Sequence, residues 1–177
     1  MKKIYIVLSQ SYSILAKTIK LFTKDKYSHI SISFNEDCTN MYSIGRKYKY
    51  CPFIGNYMNE SIYKGLYSAS PRAEILIYEL TISDEKYKNI KKLLDKYGIP
   101  CKGYNFLGLV LAIFNKKINR KKYYCSEFIY KILSDDSVKL FEKTKKIVKP
   151  MDFEKIENLK LVYEGKIIDY KLKKYQL

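Results

Sequence analysis

One histidine, His29, and four cysteines, Cys38, Cys51, Cys101 and Cys125, are the residues of this 177-residue chain whose types suit nucleophilic chemistry near neutral pH. A thiol nucleophile needs a base that takes its proton and later returns it to a leaving group. Imidazole is the side chain whose ordinary pKa suits that work. Cys125 is the cysteine in the most favourable setting. Arg120, Lys121 and Lys122 precede it, and Phe128, Ile129, Ile132 and Leu133 follow at helical spacing, so Cys125 falls at the first turn of an amphipathic helix. The N–H groups of a first turn and the helix macrodipole favour negative charge there, and the basic approach adds to it. Cys38 lies in a polar turn, Cys51 beside Pro52 and Cys101 after Pro100, and none of them opens a helix. A cysteine heading an amphipathic helix is also a common small core residue, and spacing alone leaves both readings open.

The elements that would position this pair can be read next. Residues 27–34 alternate strictly: Ile30, Ile32 and Phe34 point to one side and His29, Ser31 and Ser33 to the other, which predicts a strand with its histidine off the core face. The polar stretch 35–40 is a turn, and 41–44 returns as the second strand of a hairpin ended by Gly45. Hairpin logic makes Ser43 the nearest candidate to orient the His29 ring, with Asn40 and Glu36 as alternatives.

Around them, 4–8 reads as a buried strand and 9–23 as a helix with Ile14, Leu15, Ile19 and Phe22 inward. Residues 46–72, rich in Tyr, Gly and Ser, read as a loop region with short strands at most, and loops of that length are often functional. Residues 73–80 form a central strand. Ser83 caps a helix carrying Tyr87, Ile90, Leu93, Leu94 and Tyr97 on one stripe and stopped by Gly98 and Pro100. Residues 104–114 form a buried helix, 134–137 a polar break and 139–149 a basic, solvated segment. Pro150 opens a short helix, and 159–163 pairs with 166–172 as a terminal hairpin across Glu164 and Gly165.

The length suits one domain over 1–177. Thirty-four Lys and Arg against eighteen Asp and Glu give a formal charge of +16, which attracts anionic partners such as a phospholipid surface or an acidic polymer. No zinc-finger spacing, Gly-rich RNA-binding signature or Arg-rich arm accompanies that charge, so no specific nucleic-acid binding is expected. With no C-x-x-C pair and a single histidine, no metal site and no cofactor are expected. Ser9 interrupts the apolar start before a signal-peptide core is complete, and the run 106–114 is far short of the ~20 residues a membrane span needs. The expectation is a soluble, reduced, cytoplasmic protein.

Three segments together carry a resemblance: Ser28-His29-Ile30-Ser31-Ile32 on a strand, Tyr124-Cys125-Ser126-Glu127-Phe128-Ile129 opening a helix, and Pro150-Met151-Asp152-Phe153. With the histidine preceding the cysteine, the chain resembles the circularly permuted branch of the NlpC/P60 superfamily of papain-like enzymes, which includes the YiiX/YaeF-like amidases and, more distantly, the lecithin:retinol acyltransferase-like enzymes. The resemblance implies an α+β, circularly permuted papain-like fold with an antiparallel sheet packed against helices. It implies a thiol-dependent hydrolase or acyltransferase acting on a peptide-like or lipid-like amide or ester, with Cys125 as nucleophile and His29 as base and acid. The family's third, ring-orienting residue comes from the strand after the histidine strand, near Ser43. The alternative from another class is a non-catalytic binding module on the same scaffold, docking on anionic membranes or acidic polymers.

Overall fold

The computed structural model describes residues 1–10, 25–46, 55–99, 123–136, 138–141 and 148–175. The expected helices over 9–23 and 104–114, the basic approach 120–122, Cys51 and Cys101 lie wholly or mostly outside these residues, as does most of 139–149.

The chain builds an α+β structure on a six-stranded antiparallel sheet ordered β4-β3-β2-β1-β5-β6. β1 (Lys2–Ser9) runs through its middle, paired with β2 (His29–Ser33) on one side and β5 (Glu74–Ile82) on the other. The unbroken apolar run Ile4 to Leu8 is what such a place demands, since side chains leaving β1 in both directions are buried. β3 (Met41–Arg46) pairs with β2, β4 (Gly55–Glu60) with β3, and β6 (Lys160–Lys166) with β5.

Two layers cover the sheet. On one face Ile4, Ile6, Leu8, Ile30, Ile32 and Ile44 pack against α2 (Asp84–Gly98) and α3 (Cys125–Asp135). α2 begins as its sequence requires, with Ser83 Oγ accepting from the Lys86 N–H, and its buried residues are Ile90, Leu94 and Gly98. α3 buries Phe128, Ile129, Ile132 and Leu133, each contributing about 1.5–3 kcal/mol by leaving water. On the other face Tyr5, Val7, Met41, Ile75 and Ile77 meet Tyr67 from the short α1 (Gly65–Ser68) and Ile167 and Tyr170 from α4 (Ile167–Tyr175). No helix among the described residues is long and apolar enough to cross a membrane.

Two expectations need correction. The stretch 46–72 holds a short strand, β4, within what was expected, and also the short helix α1, which was not. The terminal hairpin does not form. β6 continues through Glu164 and Gly165, paired along β5, and the residues after it turn helical as α4. Gly165 carries φ 151, and a Cβ there would meet the Tyr163 hydroxyl at 2.8 Å, so the glycine keeps the strand running past a close side chain instead of ending it. Ile167 and Tyr170, three apart, then form the buried stripe of a helix.

Candidate functional site

α3 starts where the sequence places it. Tyr124 is the extended residue before the helix and Cys125 its first residue; the first intrahelical bond runs from the Phe128 N–H to the Tyr124 carbonyl at 3.0 Å. The N–H groups ahead of Phe128 have no intrahelical acceptor, and the thiol belongs to the same first turn. Ser126 ties the same turn down by donating to the Val148 carbonyl at 2.8 Å. Cys125 is only 3% exposed, at the edge of the helix-side core.

His29, the first residue of β2, has the Cys125 side chain close enough to favour its charged form. Its ring is held on the other side by a carboxylate: Nε2 lies 3.0 Å from Glu60 Oε2. Ser31, two residues along the same strand face, donates to Glu60 Oε2 at 2.9 Å and sits 3.4 Å from His29 Nε2. The imidazole thus lies between a thiol and an ion-pairing carboxylate, with the His29 and Glu60 side chains 17% and 9% exposed.

That near-burial sets the electrostatics. Burial works against a charged imidazole, but the Glu60 charge, the nearby Cys125 side chain and the hydrogen bond to Glu60 outweigh it and hold His29 well above its ordinary value. Burial likewise opposes the Glu60 charge. His29, by charge and hydrogen bond, and then Ser31 and Ser43 bring that carboxyl below its usual range. By contrast burial pushes the Cys38 thiol up to about 12, with Asp37 adding to the shift.

The structure therefore brings together His29 and Cys125, which lie 96 positions apart in the chain. Ser43 is buried on the same face of the sheet but pairs across to Met58, and its Oγ makes no hydrogen bond of ordinary length among the described residues. Its hydroxyl is still near enough to Glu60 to favour the carboxylate. Continuing the β2–β3 register from Ile32 opposite Tyr42 places Gly45, not Ser43, across from His29. Asn40 accepts from Asn59 and Glu36 pairs with Lys174, both away from the ring.

Glu60 is the site residue that the sequence reading missed. One signal was present: Glu60 is the single acidic residue between Asp37 and Glu74. Its strand, Gly-Asn-Tyr-Met-Asn-Glu, holds no β-branched residue and so gave no strand pattern to place it.

No protein-family model matches the chain, and no curated protein matches it in sequence. Among solved structures its fold is similar to one described as the crystal structure of metalloprotein yiiX from Escherichia coli O157:H7, DUF1105, with a TM-score of 0.60 and 14% identity. The match covers 93% of this chain and 97% of that one. At that identity the likeness speaks for the fold.

Proposed function

We propose that the chain is a cysteine hydrolase or acyltransferase of the permuted papain-like type, with Cys125 as nucleophile, His29 as base and acid, and Glu60 as the residue that orients the ring. The observation that carries this reading is the His29 imidazole paired through Nε2 to a nearly buried carboxylate, with the Cys125 side chain beside the same ring. A thiol, a base and an orienting acid in that order are the working parts of acyl transfer.

The steps follow from the placement. The Cys125 thiol gives its proton to His29, and Sγ attacks the carbonyl carbon of an amide or ester. The oxyanion that forms meets the first-turn N–H groups of α3, which have no acceptor within the helix. Collapse breaks the bond to the leaving amine or alcohol, which takes the proton from His29 and leaves a thioester on Cys125. Water, or another acceptor with an O–H or N–H, then loses its proton to His29 and attacks the thioester. Collapse of the second tetrahedral species returns that proton to the sulfur. Throughout, Glu60 keeps the ring aimed and balances its charge.

The yiiX structure is described as that of a metalloprotein. In this chain no three His, Cys, Asp or Glu side chains among the described residues are arranged to hold a metal ion. His29 Nε2 and Glu60 Oε2 are directed at each other, and no step here passes through a metal.

The reading is tested by iodoacetamide labelling near pH 7 with peptide mapping, and by mass-spectrometric search for an acetyl adduct after p-nitrophenyl acetate. Cys125 should label well ahead of Cys38 and carry the acetyl group, and His29→Ala should slow its labelling about a hundredfold, the low end of general-base effects. Equal labelling of the two cysteines, indifferent to His29→Ala, would sink it.

A further inference from the structure

Behind the His29–Glu60 pair stands a set of buried hydroxyls that the mechanism above does not use. Ser31 is fully buried and donates its one hydroxyl proton to Glu60 Oε2 at 2.9 Å. The Tyr67 hydroxyl, from α1, stands near Ser31 and lies 3.0 Å from Ser9 Oγ at the end of β1. The direction of this chain is fixed by counting protons. Ser31 has spent its proton on the carboxylate, so toward Tyr67 it can only accept, and Tyr67 must donate. The Tyr67 oxygen is then open to accept from Ser9. A Tyr67 hydroxyl turned to Ser31 would complete a relay running from Ser9 toward Glu60.

We infer that Ser31 and Tyr67 are positioning residues that fix Glu60 Oε2 on His29 and keep it ionised. The inference rests on the proposed reading of His29 and Cys125. Aligned hydrogen bonds polarise one another, and a chain ending on an anion gains most from that alignment. A carboxylate that is nine-tenths buried needs such donors, since desolvation otherwise favours its neutral form. Burial, with the Glu60 charge nearby, holds Tyr67 well above its ordinary value, so the phenol stays a proton donor. Three elements separated in sequence, the end of β1, the middle of β2 and α1, supply hydroxyls on this face, whereas the helix-side face of the same strands is purely apolar at Ile30 and Ile32.

The chain's single histidine makes the test direct, because its ring protons form one titrating pair of NMR signals. The titratable groups facing His29 are Glu60 from β4 and Cys125 from α3; those facing Glu60 are His29 from β2 and Tyr67 from α1. Ser31→Ala and Tyr67→Phe should each move the His29 titration downward and slow Cys125 alkylation about two- to tenfold, the range of one neutral hydrogen bond. Ser31→Ala added to Glu60→Gln should change both less than Ser31→Ala alone does, because most of its effect passes through the carboxylate. An unmoved titration in folded Ser31→Ala and Tyr67→Phe overturns the inference, as does an equal loss in the Glu60→Gln background. If Glu60→Gln does not fold, the two single variants decide it. A wild-type Cys125 that labels no faster than Cys38, beside a titration that still moves, would remove the enzyme reading and leave the relay standing.

Discussion

Gly45 occupies the place opposite His29, and its lack of a side chain is what admits the ion pair. A Cβ there would stand 3.2 Å from Glu60 Oε1 and 3.6 Å from His29 Cε1. The first distance is too tight to keep without moving the carboxylate, and the backbone at Gly45 is not left-handed, so space alone decides. Gly45→Ala should therefore cost about 1–2 kcal/mol in urea unfolding and lower the His29 titration, as small overpacking does elsewhere in cores. An unchanged titration would show that Glu60 has slack. The pair also predicts a pH signature. His29 is raised, so its contribution to stability is full below its ordinary 6.5 and is lost as pH climbs through the raised value; Glu60 is lowered, so its contribution is full above 4.5 and is lost as pH falls through the lowered value. The stability of wild type relative to Glu60→Gln should thus be greatest between about pH 4.5 and 6.5 and shrink on either side, read from unfolding midpoints across pH.

At the scale of elements, what was legible is what local rules control. The Ser83 cap, the start of α3 at Cys125 and the turn opened by Pro150 depend on neighbours in sequence, and each lies where those neighbours put it. β4 was illegible because nothing in its own composition makes it a strand. It is held by packing: Tyr57 stacks on Tyr42, tilts against Phe128 of α3, and covers Gly98 at the end of α2 so closely that a Cβ there would fall 2.5 Å from the ring. With Tyr57 anchored on one face, alternation delivers Glu60 to His29 on the other. Gly98→Ala should push this strand outward, lowering stability by about 1–3 kcal/mol and slowing Cys125 alkylation from a position outside the hydrogen-bonded network. Tyr57→Phe keeps the ring and drops a hydroxyl that has no hydrogen-bond partner among the described residues. It should leave both quantities close to wild type. Gly98→Ala with undiminished alkylation would show that β4 is placed by other contacts.

At the scale of the whole molecule, alternation in β2 correctly kept His29 off the helix-packed face, but it could not show that the opposite face is covered as well. That cover comes from α1 and α4, and α4 was misread because Ile167, Ile168 and Tyr170 are good strand formers whose three-residue spacing matters only once a sheet lies beneath them. The covering layer is why the pair is nearly dry, and a dry site feels the charge of the surrounding protein with little screening. That charge is +16 overall. If the excess reaches the thiol, an anionic alkylating agent gains over a neutral one of the same shape. The ratio of iodoacetate to iodoacetamide rates at Cys125 should exceed the ratio for a free thiol at 10 mM salt. It should fall toward the free-thiol value by about 1 M, as the screening length contracts from about 30 to 3 Å. A ratio that ignores salt would mean the lysines are spread over surfaces remote from Cys125. The basic charge would then say nothing about the substrate, and a preference for anionic substrates would have no support from it.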